Sequence, residues 1–199
     1  MSNRSPALNA VTEIKLSYKQ RGALRRVTKM WLMTFVEPSD LYLTFAWNKT
    51  RGFQNLATNE KAGLSISRAL RDLDEFVKHM DKYSVGPRYH KKPAEFRCVL
   101  IAAPEHLDSN LHYHGVLQPG RFPDGCDLRD YVAESERVWK HLVKGGSLRI
   151  DAAGTGVTLK QIRRGTVPDT ASAKRVVNYI TKVLAKPGAW DGLFVAGAL

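Results

Sequence analysis

Apolar residues recur at spacings of three and four in three segments of the chain, which is the pattern of a helix with one buried face. These segments predict helices over residues 65–82, 128–143 and 171–185. Shorter apolar or β-prone runs predict strands over 41–47, 96–103 and 111–117, with one or two more within 148–150 and 157–162. Because only a short polar turn, 104–110, links 96–103 to 111–117, we expect these two strands to form an antiparallel hairpin.

Strands and helices are interleaved along the chain, and the hairpin indicates an antiparallel sheet. The pattern predicts an α+β sandwich in which the helices pack on one face of the sheet. The length of 199 residues suits a single domain. Residues 1–27 are polar and basic and predict an N-terminal extension or an added helix, so we place the domain at 28–199. Residues 49–63 are expected to form a loop.

The charge balance narrows the class of partner. The chain has 31 Lys and Arg against 19 Asp and Glu, a net charge of +12. Such an excess indicates a polyanionic partner, most often nucleic acid, although a soluble basic protein without such a partner is the simpler alternative. The basic residues cluster within 15–26, 88–92 and 160–164. No apolar run is long enough for a membrane span, and we expect no membrane partner.

The chain has two cysteines, Cys98 and Cys126, and they do not form a CxxC motif. A disulfide scaffold or a cysteine-based zinc site is therefore not expected, and the sequence favours a reducing compartment.

Two histidines lie in the strand predicted over 111–117. Alternation along a strand places His112 and His114 on one face, with Tyr113 on the other, and two strand rises separate the imidazoles by about 7 Å. Imidazole nitrogens suit Mn, Zn, Fe or Cu, so the pair predicts a cation site. The polar turn before this strand offers three further ligands, Glu105, His106 and Asp108. A half-exposed strand that simply carries two histidines is the structural alternative.

The helix predicted over 171–185 carries a polar stripe. A rotation of about 100° per residue aligns Arg175, Tyr179, Lys182 and Lys186, with the apolar residues to the other side. Tyr179 then lies at the margin of the buried face beside cations. A neighbouring ammonium favours the phenolate and hence nucleophilic attack. The alternative is an amphipathic helix with a tyrosine at the edge of the core.

A His-x-His strand followed by a helix with Tyr-x-x-Lys resembles the nuclease domain of rolling-circle replication initiators, the HUH endonuclease superfamily. Leu111–Leu117 resembles the metal-binding strand of that family, and Val177–Lys182 resembles its nucleophile helix. Leu43-Thr44-Phe45 is a looser match to the first motif of the family. The resemblance covers roughly residues 41–186, and it implies a five-stranded antiparallel sheet with flanking helices.

The resemblance implies a metal-dependent nickase for single-stranded DNA or an extruded origin hairpin. His112 and His114 would bind Mn²⁺ or Mg²⁺, with Glu105 as the preferred third ligand. Tyr179 would attack the scissile phosphate to form a 5′-phosphotyrosine link, and Lys182 would position it. The cations that we expect to contact DNA are Arg175, Lys186, Arg163, Arg164, Lys91 and Lys92.

The chain contains no phosphate-binding loop of the kind found in helicases. Either it is a nuclease domain cut from a longer protein, or the protein depends on a host helicase. It would act in the cytoplasm of a bacterial or archaeal host, or in the host nucleus of a eukaryotic virus.

Other functions remain open from the sequence. A single-tyrosine transposase of the same superfamily shares the order of motifs, whereas a relaxase places its tyrosine near the N-terminus. A non-catalytic basic domain would bind nucleic acid without cleaving it. A structural zinc site made from His106, His112 and His114 would unfold when its metal is removed.

Overall fold

The structure, a computed structural model, describes residues 17–35, 41–47, 66–105, 111–152, 170–184, 186 and 189–197. Within these ranges the helices are α1 (Tyr18–Phe35), α2 (Ile66–Val85), α3 (Leu128–Leu142) and α4 (Thr170–Val183). The strands are β1 (Leu41–Ala46), β2 (Val99–Glu105), β3 (His112–Gln118), β4 (Ser147–Ala152) and β5 (Phe194–Ala196). Two short 3₁₀ helices, Tyr89–Lys91 and Ala94–Phe96, connect α2 to β2.

The strands form one sheet of five in the order β4-β1-β3-β2-β5, and every neighbouring pair is antiparallel. The predicted α+β class, with a five-stranded antiparallel sheet and flanking helices, is confirmed. The predicted hairpin is also confirmed, because β2 and β3 pair from Val99 opposite Gln118 to Glu105 opposite His112. Strand β3 therefore lies at the centre of the sheet, between β1 and β2.

Helices cover both faces of the sheet, so the expectation that they pack on one face is wrong. The alternating side chains of β2 explain the difference. Leu100 and Ala102 belong to the larger apolar cluster with α2 and α3, while Ile101 and Ala103 belong to a second cluster with α1 and α4. A strand that is apolar on both sides must be buried on both sides.

The end of β2 also differs from the expectation, which placed a turn at 104–110. Pro104 and Glu105 continue the strand opposite Tyr113 and His112. Proline lacks an N–H donor and is found at strand edges. The described pairing of β2 with β5 is limited to Leu100–Ala102, so Pro104 lies beyond it. The extension matters because it brings Glu105 alongside the histidine strand.

Helix α1 runs without a break across the predicted domain boundary at residue 27. The sequence left residues 1–27 as either an extension or an added helix, and residues 18–27 form the first turns of α1. Residues 1–16 lie outside the described ranges. The predicted loop at 49–63 and the predicted strand at 157–162 also lie outside them. Strand β5 was not predicted, since its three residues are too few to show an alternating pattern.

Gly115 in β3 has no room for a side chain. A Cβ atom at this position would lie 2.8 Å from the backbone oxygen of Ile101 and 2.9 Å from the Cβ of Ala102. We therefore expect Gly115→Ala to destabilise the fold by about 1–3 kcal/mol, the usual cost of overpacking. The melting temperature of the purified variant, measured by circular dichroism, should fall by several degrees.

Gly22 provides the matched control for this substitution. It lies in α1, and an added Cβ would meet nothing within 4 Å. Alanine is the better helix former by about 1 kcal/mol, so Gly22→Ala should preserve or raise the melting temperature. Equal melting temperatures for Gly115→Ala and the parent chain would show that the β2–β3 pairing is not as close as described.

Candidate active site

Two histidines and a glutamate from adjacent strands meet on the sheet face that is covered by α1 and α4. Because His112 and His114 are two residues apart in β3, their side chains project to the same side. Glu105 lies directly opposite His112 in the register of β2 and β3. Its Oε2 atom lies 3.0 Å from Nε2 of His114 and 3.3 Å from Nε2 of His112.

These three side chains could hold a metal ion, since one ligand atom from each lies within 4.8 Å of the others. Two ligands bound about 2.1 Å from one cation at a right angle are roughly 3 Å apart, which matches the separations seen here. The predicted face for the two histidines is correct, although their ring centroids are 4.9 Å apart, closer than the strand spacing alone suggests. Nitrogen and carboxylate ligands together suit a divalent cation, and Mn²⁺ accepts both kinds.

Tyr179 of α4 reaches the same three side chains. Its hydroxyl donates a hydrogen bond to Oε2 of Glu105 at 2.7 Å and lies 3.4 Å from Nε2 of His114. Its ring meets the imidazole of His114 edge to face, with centroids 4.8 Å apart. Val177 and Ile180 are fully buried against β2 and β3 and fix the rotation of the helix. Tyr179 itself remains 38% exposed, so a large substrate can approach the hydroxyl.

The carboxylate and the phenol have shifted acidities. Burial alone would raise the pKa of Glu105, but hydrogen bonds from Tyr179 and Lys186 and the nearby His114 lower it to about 2. Glu105 is therefore anionic at any physiological pH. Burial, and then the hydrogen bond to Glu105, raise the pKa of Tyr179 to about 12. The expectation that neighbouring lysines favour the phenolate is thus wrong for the chain on its own, because the closest charge to the phenol is negative.

The ammonium that contacts the site belongs to Lys186 rather than Lys182. Nζ of Lys186 lies 3.3 Å from Oε1 of Glu105, whereas Lys182 is exposed and has no such contact with the described residues. The predicted stripe included Lys186, one residue beyond the predicted helix 171–185. Helix α4 ends at Val183, so Lys186 lies three residues beyond the helix and contacts Glu105 from there.

Tyr42 and Thr44 of β1 complete the surroundings of His114. The resemblance placed the motif Leu43-Thr44-Phe45 on a strand beside the metal site but assigned no role to the side chain of Tyr42 or Thr44. The Tyr42 hydroxyl lies 2.8 Å from Nδ1 of His114, and Oγ1 of Thr44 lies 3.1 Å from the same atom. With its proton on Nδ1, His114 would donate to these oxygens and would leave the lone pair of Nε2 for a cation held beside Glu105. Because Tyr42 and Thr44 are two residues apart in β1, the sequence indicates that their side chains share one face of the sheet. That this is the face of His114 follows only from the strand register, in which Thr44 lies opposite His114.

We expect Tyr42→Phe to weaken binding of Mn²⁺ by about tenfold, the lower end of the effect for a residue that orients a metal ligand, because Thr44 still contacts Nδ1. Isothermal titration of the purified chain with Mn²⁺ measures this directly. Tyr89→Phe serves as the control, because Tyr89 lies in a 3₁₀ helix that contacts α2 on the other face of the sheet. Unchanged affinity in Tyr42→Phe would show that the Tyr42 hydroxyl does not orient His114.

The structure does not bring all the predicted DNA contacts to the site. Lys91 and Lys92 are exposed beside α2, on the opposite face of the sheet from Tyr179. Arg163 and Arg164 lie outside the described residues, as do His106 and Asp108, the other candidates for the third ligand. Arg175 lies on α4, but its side chain is outside the described part.

In comparisons with protein-family models, curated protein sequences and solved structures, nothing matches this chain. Among the described helices, none combines the length and the apolar character that a membrane crossing requires. The feature of the chain that bears on its function is therefore the convergence of Glu105, His112, His114 and Tyr179.

Proposed function

We propose that this chain is a metal-dependent endonuclease and ligase for single-stranded DNA of the HUH type, and that it initiates rolling-circle replication of a plasmid or a virus. One observation carries the proposal. The hydroxyl of an accessible tyrosine lies within 3.4 Å of a group of side chains suited to a divalent cation. A phosphate bound at that cation would lie next to the phenolic oxygen.

His112, His114 and Glu105 would hold Mn²⁺ or Mg²⁺. Such an ion, when bound, polarises the P–O bonds of a phosphodiester and offsets negative charge on its oxygens. The mixed donor set favours Mn²⁺, since Mg²⁺ prefers oxygen ligands. Tyr42 and Thr44 keep Nε2 of His114 directed towards the ion, and Lys186 compensates the charge of Glu105.

The reaction is a transesterification at phosphorus. The phenolic oxygen of Tyr179 forms a new P–O bond, the bond from phosphorus to the 3′ oxygen breaks, and that oxygen leaves as a 3′-hydroxyl after taking up a proton. The phenol proton passes to solvent or to a neighbouring base. Glu105 accepts the hydrogen bond of Tyr179 and so orients a lone pair of the phenol. The reverse attack of the 3′-hydroxyl on the phosphotyrosine rejoins the strand.

The substrate in this proposal is single-stranded DNA or an extruded origin hairpin, because a stacked duplex holds its backbone too rigidly to enter such a site. The net charge of +12 supports a polyanionic substrate. A host helicase would open the duplex. The reaction would take place in the cytoplasm of a bacterial or archaeal host, or in the nucleus of a host cell infected by a eukaryotic virus.

The test is covalent capture of DNA. Purified chain is incubated with 5′-labelled and 3′-labelled single-stranded oligonucleotides of mixed sequence, in Mn²⁺, in Mg²⁺ or in EDTA, and run on a denaturing gel. We expect a metal-dependent protein–DNA adduct that retains the 3′ label, together with a free 5′-labelled fragment. Cleavage without an adduct would favour a nuclease that uses water, and binding without cleavage would favour a non-catalytic basic domain.

A further inference from the structure

The positive charge of the chain is distributed unevenly between the two faces of the sheet. The two helices on the face of the candidate site, α1 and α4, carry eight Lys and Arg and no Asp or Glu. The two helices on the opposite face, α2 and α3, carry seven Lys and Arg and seven Asp and Glu. Several charged residues of α2 and α3 form ion pairs within their own helix, such as Lys78 with Asp74 and Arg137 with Glu134. Of the four α-helices in the described ranges, only the two on the face of the candidate site carry cations without any acidic residue.

Helix α1 provides most of this charge and is only lightly packed. Of its 18 residues only Leu32 is buried. Leu32 packs in a cluster with Val177 and Ile180 of α4 and with Leu184, the residue directly after α4. The helix lies next to the one that carries Tyr179. Arg25, Arg26 and Lys29 are all exposed.

The exposed surface of α1 is also unusually apolar. In the described ranges eight large apolar or aromatic side chains are exposed, and six of them belong to α1: Tyr18, Leu24, Val27, Met30, Trp31 and Met33. Val27 and Met30 are 64% and 72% exposed. A surface with both features recognises a ligand that offers negative charge and flat or apolar groups together.

We propose that α1 is a binding surface for single-stranded DNA, on which the strand lies as it leads into the Tyr179 site. The cations would contact phosphates, and Trp31, Met30 and Val27 would contact unstacked bases. A helix of 18 residues is about 27 Å long, which is enough to span several nucleotides. The choice of DNA as the polyanion rests on the proposed function, whereas the binding of a polyanion rests on the charges of α1.

Two other occupants fit the helix less well. A second copy of the chain would place the five cations of one α1 against the five of another, with no acidic residue on either helix to compensate them. An anionic lipid surface selects helices whose apolar and cationic side chains lie on separate faces. On α1 the two kinds of side chain overlap along one margin, because helical rotation places Arg26 between Met33 and Met30, and the helix packs directly on the one that carries Tyr179.

The test compares two triple variants that remove the same charge. Arg25→Ala/Arg26→Ala/Lys29→Ala changes α1, and Lys82→Ala/Lys140→Ala/Lys144→Ala changes exposed residues on or directly after α2 and α3. Binding of a fluorescent 30-nucleotide single strand is measured by anisotropy in EDTA at several salt concentrations. Melting temperatures verify that both variants fold. A third variant, Val27→Ser/Met30→Ser, removes apolar surface without changing charge.

We expect the α1 charge variant to bind at least tenfold more weakly, and the slope of log affinity against log salt to decrease by about 2, since each lost phosphate contact contributes about 0.7. The matched variant should change the slope by less than 1. The serine variant should weaken binding while leaving the slope unchanged. Equal losses in the two charge variants, or none in either, would overturn the inference. If the parent chain binds phosphatidylserine vesicles more strongly than the single strand, and this binding depends on the α1 cations, α1 is a membrane-binding surface and the inference is wrong.

Failure of this inference can be told apart from failure of the proposed function. If the chain forms a covalent adduct but its DNA binding does not depend on α1, the proposed nuclease activity is supported and the proposed binding surface is wrong. If DNA binding depends on α1 but the chain never forms an adduct, the proposed binding surface is supported and the proposed nuclease activity is wrong.

Discussion

Replacing Tyr179 with phenylalanine should abolish the covalent protein–DNA adduct and leave DNA binding intact. The substitution removes only the phenolic oxygen, which lies 2.7 Å from Glu105 and 3.4 Å from Nε2 of His114. If that oxygen is the nucleophile, no other atom of the side chain can form the bond to phosphorus, and cleavage should fall by about a thousandfold or more. A denaturing gel measures the adduct, and anisotropy with the same oligonucleotide measures binding.

The fold should tolerate this change. Tyr179 is 38% exposed, and the lost hydrogen bond to Glu105 has a net value of about 1 kcal/mol. Tyr89→Phe removes a hydroxyl far from the site and should retain full adduct formation. An adduct of undiminished yield in Tyr179→Phe would show that another residue attacks the phosphate, and the proposed mechanism would then be wrong. Loss of DNA binding in step with cleavage would indicate that Tyr179 acts in binding instead.

The sequence was sufficient to place the residues whose position depends on a local repeat. Alternation in β3 sets His112 and His114 on one face and Tyr113 in the opposite core, and this follows from strand geometry alone. The helical period likewise sets Val177 and Ile180 towards the sheet and leaves Tyr179 at its margin. The approach of Tyr179 to the histidines then follows once α4 packs on the same face as those histidines.

Contacts that depend on strand pairing could not be read from the sequence. The resemblance implied Glu105 as the third ligand, but the residue pattern placed it in a polar turn, because Pro104 before it is a common end to a strand. Its place opposite His112 became clear only from the register of β2 and β3. Tyr42 and Thr44 are separated from His114 by about 70 residues of chain, so no local pattern links them to it. Lys186 contacts Glu105 from a position three residues beyond the end of α4, and the residue at which a helix ends is hard to read from the sequence.

The error over the two sheet faces has a single physical origin. The run 96–103 predicts a strand, yet only one layer of helices was expected to cover the sheet. Leu100 and Ile101 are adjacent and therefore point to opposite faces of the sheet, and both are buried, so helices must cover both faces. Parallel sheets, which are covered on both faces, have similar continuous apolar strands. The second layer is formed by α1 and α4, and it is this layer that carries Tyr179 and the two helices without Asp or Glu.

Removing the metal, or one of its ligands, should stop the reaction without unfolding the chain. His112 lies at the margin of the sheet face, where its side chain is 18% exposed, and the apolar clusters on both sides of the sheet do not include it. His112→Ala should therefore weaken binding of Mn²⁺ by about a hundredfold, as measured by isothermal titration. Adduct formation at low Mn²⁺ should disappear, while the melting temperature changes by only a few degrees.

Treatment of the parent chain with EDTA separates a catalytic cation from a structural one. A catalytic ion contributes to stability only by mass action, so chelation should lower the melting temperature modestly and adducts should return when Mn²⁺ is restored. A structural zinc site supplies folding free energy, and its removal unfolds small domains outright. Cooperative unfolding in EDTA would therefore contradict the catalytic assignment. A folded chain that forms adducts equally well in EDTA would show that Glu105, His112 and His114 bring no cation to the reaction.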